Sequence, residues 1–300
     1  MELCRGGTMP HYTLLEKIIR KIMFVVIALI ALSMVYPFYY AIIYALSDSK
    51  EAISQPVLLW PVKPTLAVFK RLAKLKLLWT SYLNSIIVTS IGTFLAVFMT
   101  TLMAYPLSVR RLRGRRIVSF MIFFTMLFGG GMIPNYLLME NLGLLNTRIV
   151  LILPGILNAY NILIMRSFFL GIPGELEESA NIDGATPMRI LLQIILPVSL
   201  PALAVQAMFY GVGFWNSYFD CVLYIDNASL MTLQAYLRTL ISGSISGASN
   251  VVDSVTDNAV LSNETIRMGT VAASVIPVLI VYPMLQKYYV KGLVVGSVKG

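Results

Sequence analysis

Cysteine and histidine are nearly missing from this chain, since Cys4, Cys221 and His11 are the only such residues among its 300. A disulfide framework, a Cys/His zinc site and a histidine proton relay therefore all lack parts. Charge is scarce too. Asp, Glu, Lys and Arg make up 12% of the chain, against roughly 25% in an ordinary soluble domain. Hydrophobic residues make up 58% and the mean hydropathy is +0.79, which excludes a soluble globular domain. No Gly-x-x-x-x-Gly-Lys-Ser/Thr phosphate loop occurs, so nothing here cradles nucleotide phosphates in the known way. Charges within the apolar runs are almost absent, which argues against a proton- or ion-coupled carrier of the usual kind. No nucleophile, base and orienting group can be assembled from those runs either, and the reading is a non-enzyme.

What the chain does have is apolar sequence of membrane length. Runs near residues 22–46, 84–107, 117–139, 149–170, 194–216 and 268–286 each approach the roughly 20 residues needed to cross a hydrocarbon core. The expectation is an all-α, polytopic membrane protein with six transmembrane helices in one domain. The first run follows Lys17, Arg20 and Lys21 like a signal peptide, but it is too long and no small-x-small cleavage site follows. It reads as a retained anchor, with Met9 an alternative start.

The formal charge of +9 does not point to nucleic acid. Its densest basic run, Arg110, Arg111, Arg113, Arg115 and Arg116, lies between two spans and reads as a cytoplasmic topology signal. That assignment makes residues 1–21 a cytoplasmic N-terminal segment, 22–290 the transmembrane domain and 291–300 a cytoplasmic tail, with external loops at 47–83 and 217–267. Lys287, Lys291 and Lys299 agree with it. Lys50, Lys63, Lys70, Arg71, Lys74 and Lys76 oppose it, because they fall in an external loop. Leu66, Phe69, Leu72, Ala73 and Leu77 recur there at helical spacing, so that stretch is expected to be an amphipathic helix lying on the outer surface. The 217–267 loop is polar, rich in Ser, Asn and Gly, with Asp253, Asp257 and Glu264 at its acidic end. It is a partner-contact surface or a solvated connector.

The one polar island inside the apolar sequence is 171–201. Pro173 suits a first helical position, while Glu175, Glu177 and Glu178 complement the positive end of a helix dipole. Asp183-Gly184 supplies a stop. Thr186 can cap a second helix with Pro187 in its first turn, and the run Ile190 to Leu196 leads to Pro197. Two short helices around a tight turn make a rigid docking element, and Pro187 and Pro197 fix where the second begins and ends.

The run Glu178-Ser179-Ala180-Asn181-Ile182-Asp183-Gly184-Ala185, closed by Ile195-Leu196-Pro197, resembles the EAA motif of permease subunits of ATP-binding-cassette (ABC) importers, with Ser179 in place of the first Ala. Asp183 to Pro187 resembles the carbohydrate-uptake, maltose-permease-like branch in particular. Trp60-Pro61, Pro64-Thr65-Leu66, Asn84-Ser85, Phe128 to Pro134 and Lys291-Gly292 look like that branch as well. The 128–134 stretch is similar to an oligosaccharide-importing subgroup that includes carriers of uronate-containing fragments.

The resemblance implies a type I ABC importer permease fold in the bacterial cell membrane, with a cytoplasmic coupling helix in the 171–197 loop. The coupling residues it implies are Glu178, Ser179, Ala180, Asp183, Gly184, Ala185, Pro187, Leu196 and Pro197. Glu178 would be the polar anchor, Ala180 would allow close approach, and Gly184 would permit the turn. The implied partners are a second homologous permease, two ATPase subunits docking at this loop, an external substrate-binding lipoprotein and a sugar. ATP and Mg2+ would belong to the ATPase, with no cofactor on this chain.

Sugars are held by polar side chains and by stacking on aromatic rings. Asn158, Tyr160 and Asn161 in the fourth span, and Tyr210, Trp215, Asn216 and Tyr218 around the end of the fifth, offer both chemistries; Asn135 and Tyr136 offer them less fully. The same residue types also glue helices together or form interfacial belts. A permease for peptides, polyamines or phosphate is the alternative function, and a stand-alone secondary carrier the next.

Overall fold

The computed structural model describes residues 14–55, 58–242, 264–277, 279, 280 and 283. Among them every regular element is helical. Two compact units divide the chain: residues 1–69 with 259–272, and residues 70–258 with 273–300.

The first unit contains α1 (Leu14–Leu46), a 33-residue helix, about 50 Å long at 1.5 Å per residue. It is apolar around its whole circumference, as a membrane span is and a one-sided surface helix is not. Asp48 caps the short α2 (Ser49–Ile53) by accepting from the Lys50 N–H. Ile43, Tyr44, Ala52 and Leu58 bury one another with Met268 beside them, and the Ser49 hydroxyl donates to Thr265 Oγ1 at 3.0 Å. The amphipathic helix expected in the 47–83 segment is α3 (Ala67–Lys74). Its buried side comprises Val68 and Leu72, whereas Leu66 and Ala73 are exposed and Leu77 belongs to the next helix.

That next helix, α4 (Lys76–Ser108), starts before the expected Asn84 and runs straight through 33 residues. It is the spine of the second unit. Helices α7 (Ala159–Leu170) and α11 (Leu200–Asn216) both pack along it. Val88, Ala96, Tyr210 and Phe214 share one buried cluster with Met139 and Cys221, and Ala104, Tyr105, Ile122, Met165 and Phe169 share another. Two glycines make the closest approach. Phe214 lies so close to Gly92 and Gly155 that a Cβ on either would come within 2.9 and 2.8 Å of its ring.

The third, fourth and fifth apolar runs are not single rods. α5 (Arg115–Leu127) and α6 (Met132–Asn141) meet at 109°, where three consecutive glycines, Gly129 to Gly131, withdraw helix propensity. Short 3-10 turns at Ile149–Leu151 and Leu153–Gly155 precede α7 at 51°. The segment Pro187–Val198 meets α11 at 84°, with Ser199 between them and Pro201 in the first turn of α11. Among the described residues two helices are thus long and apolar enough to span a membrane, or up to five spans if each bent pair counts as one. Residues 264–277 are helical, where the sixth expected run begins. Most of that run beyond 280, the tail 291–300, Lys287, residues 1–13 and the 243–263 part of the external loop lie outside the described residues.

Candidate functional site: a capped helix pair and the residues of the apolar runs

The polar island folds as two short helices. α8 (Gly174–Ile182) follows Pro173, with Glu175 and Glu177 in its first turn. It ends in a double backbone clasp, in which the Gly184 N–H donates to the Asn181 carbonyl at 3.1 Å and the Ala185 N–H reaches the Ala180 carbonyl at 3.0 Å. This is the Schellman stop, and its left-handed residue is Gly184, at φ +72°. An apolar contact between the residues at the two ends of the longer clasp completes such a stop, and those residues are Ala180 and Ala185. Thr186 then accepts from the Arg189 N–H, and Pro187 opens α9 (Pro187–Ile190).

Ala180 faces inward. It is 6% exposed and joins the cluster of Tyr105, Phe169, Ile190 and Ile195, so its close approach is made to its own chain. Glu178, Ser179, Asp183 and Pro187 remain exposed, whereas Glu177 is half-buried, with Tyr105 beside it. Pro197 does not end the second helix. A π-helical turn at Leu191–Ile195 precedes it, and α10 (Leu196–Val198) carries the helix on to Ser199. The wider turn accommodates a proline ring that would otherwise meet the carbonyl four residues back. Leu196 is half-buried and Pro197 exposed.

The aromatic and amide residues of the apolar runs separate into two groups. Tyr210 and Asn161 are buried and serve helix packing. The Tyr210 hydroxyl shares a 2.6 Å hydrogen bond with Thr100 and accepts from the Asn158 N–H at 3.3 Å, while Gln206 donates to the Asn161 carbonyl at 3.1 Å. Asn158 caps α7 by accepting from the Asn161 N–H. Trp215 is buried with its indole N–H unpartnered. The second group, Tyr160, Asn216 and Tyr218, is exposed, and Tyr218 lies under the Arg238 guanidinium at 5.1 Å. Asn135 is exposed, and Tyr136 stacks on Tyr224.

Sequence reasoning missed a polar latch at the opposite end of α4. Asn84 donates to the carbonyls of Ser229 and Met231 at 2.8 and 3.1 Å and accepts from Arg148 Nε at 3.0 Å. The Ser85 hydroxyl accepts from the Leu233 N–H at 2.8 Å. Asn146 accepts from the N–H groups of Asp226 and Asn227, and Cys221 Sγ accepts from Thr232. Together they tie the segment after α12 (Phe219–Tyr224), up to the start of α13 (Leu233–Ser242), onto the flank of α4. Arg166, a charge inside the fourth apolar run, was also passed over, although such a charge is by default a signal. Its Nε donates to the Leu107 carbonyl at 3.0 Å.

Bent apolar runs gathered on one long helix, with a capped polar helix pair between two of them, define a polytopic membrane transport subunit. The chain belongs to the family of binding-protein-dependent transport system inner membrane components, whose model matches residues 86–294. It is 40% identical over 270 residues to the polygalacturonan/rhamnogalacturonan transport system permease protein YtcP of Bacillus subtilis (strain 168), covering 90% of this chain and 94% of that protein. It is 28% identical to the trehalose/maltose transport system permease protein MalG of Thermococcus litoralis, over 95% of this chain and 99% of that one. Among solved structures, a bacterial ABC transporter involved in the import of the acidic polysaccharide alginate has a chain that superposes with a TM-score of 0.86 at 34% identity, over 94% of this chain and 100% of that chain.

Proposed function

We propose that the chain is one of two pore-forming subunits of an ATP-driven importer and that its cargo is an oligosaccharide carrying carboxylates. The observation that carries the reading is the α8–α9 pair. A helix stopped by a Schellman clasp and followed at once by a capped second helix is stiff enough to receive a push. Its exposed residues Glu178, Ser179, Asp183 and Pro187 form the face for a separate ATPase, because the chain has no phosphate loop of its own. Two such ATPase subunits hold ATP and Mg2+. A second homologous permease completes the pore, an external lipoprotein delivers the sugar, and both termini lie in the cytoplasm.

The acidic class of cargo is supported by the names of two similar proteins, a polygalacturonan/rhamnogalacturonan permease and an alginate importer. Of the path candidates, the exposed Asn158, Tyr160, Asn216 and Tyr218 are the ones open to it. The test is uptake into liposomes containing the complete transporter and its binding protein. Labelled oligogalacturonides should enter only with ATP and should outcompete neutral maltooligosaccharides. Saturable uptake of peptides with no uptake of either sugar would overturn the proposal.

A further inference from the structure

We infer that Tyr218 and Arg238 form a subsite for the carboxylate-bearing sugar units of the cargo, an inference that rests on the acidic-cargo reading above and gives it residues. The Arg238 guanidinium lies over the Tyr218 ring, 5.1 Å from its centroid, and such a stack holds the planar group in one orientation. Between Leu233 and Leu240 of α13, Arg238 is the one exposed residue; Gln234 is half-buried and the rest are buried. A helix packed on almost every side thus turns a single cation outward.

The pair lies toward the end of α4 remote from α8, the end at which cargo enters on the topology proposed above. The Leu233 N–H donates to Ser85 Oγ at 2.8 Å, and Ser85 is about 14 Å along α4 from its first residue, Lys76, at 1.5 Å per residue. Thr232 donates through its hydroxyl to the Ser217 carbonyl at 3.5 Å, which brings Tyr218 to the same level. With α4 centred on a hydrocarbon core of roughly 30 Å, that level falls just inside it. A guanidinium there is costly against lipid, so the exposed side of Arg238 opens on water at the mouth of the path. The two carboxylates of this segment are engaged elsewhere, Asp220 accepting from the Ser217 hydroxyl at 2.8 Å and Asp226 from the Asn146 amide at 3.3 Å. Arg238 supplies paired N–H groups along one edge for a sugar carboxylate. Tyr218 is 37% exposed, and the uncovered part of its ring takes the apolar face of the same sugar.

The test uses the complete transporter in nanodiscs without the external binding protein, so that any bound sugar is held by the pore subunits. A labelled oligogalacturonate is titrated, with the fully methyl-esterified form, which keeps the rings and loses the charge, as competitor. The parent should hold the acid at least about tenfold more tightly than the ester, the worth of a hydrogen bond to a charged group. Arg238→Gln and Arg238→Met should each bring the two affinities together by weakening the acid alone. Arg238→Lys, which keeps the charge and loses the planar fork, should leave part of the preference. Tyr218→Leu should weaken the ester as well as the acid, because the ring serves both. A preference that survives Arg238→Gln and Arg238→Met, equal losses of acid and ester in them, failure of both to assemble, or no saturable binding by the parent would each overturn the inference. If the parent with its binding protein imports no oligogalacturonate at all, the cargo reading itself fails.

Discussion

Gly184 shows how much one residue decides. An added Cβ would meet nothing within 4 Å, yet its φ is +72°, so substitution meets a backbone objection and no steric one. Gly184→Ala should cost about 1–2 kcal/mol of local stability, and Gly184→Asn less, because Asn tolerates the left-handed region. Deuterium exchange at the Ala185 amide, which closes the clasp, reads this directly. Equal protection in all three proteins would contradict the cap assignment. The stop was legible in the sequence because Asp-Gly between two helical runs is local chemistry. The inward face of Ala180 was not legible, since its partners Tyr105 and Ile190 come from other turns of the fold. Glu177 was legible as a dipole complement only; its relation to Tyr105 depends on how two distant helices lie together.

At the scale of elements, Phe214 is held on both edges, with Gly92 of α4 facing one and Gly155 before α7 facing the other. A flexible ring usually yields to an added methyl, but here a shift away from one glycine drives it toward the other. Gly92→Ala should therefore destabilise the folded chain by about 1–3 kcal/mol, the range for overpacking, seen as a lower thermal midpoint in detergent. Combining it with Phe214→Leu should recover most of the loss. The Asn84 latch predicts a second effect. Asn84→Ala removes three hydrogen bonds at a site 1% exposed and should cost about 2–3 kcal/mol, with proteolysis near Ser229 becoming faster. Helix content was readable from composition and run length, and so were the two straight spans. The bends were present as Gly129 to Gly131, Pro154-Gly155 and Pro201, but hydropathy averaged across a window passes over three residues that stop a helix.

For the whole molecule, membership in the permease family rests on most of the chain, and the docking role proposed for the capped helix pair would give that membership a physical site of action. The basic run Arg110 to Arg116 and the apolar runs carry the expectation that this loop faces the cytoplasm. What the sequence concealed was which amides and aromatics face inward. Tyr210 and Trp215 look alike as sugar platforms until burial separates them from Tyr160 and Tyr218. The three interruptions carry a further demand. Each half-helix begins with N–H groups that no earlier turn can accept, and hydrocarbon offers them no partner. Wherever these breaks lie within the bilayer, the protein must bring water or a neighbouring subunit to that depth. In nanodiscs the amides of residues 129–131 should exchange with deuterium far faster than those at the centre of α4, so hydration, more than length or hydrophobicity, will mark where this chain ceases to be a simple membrane anchor.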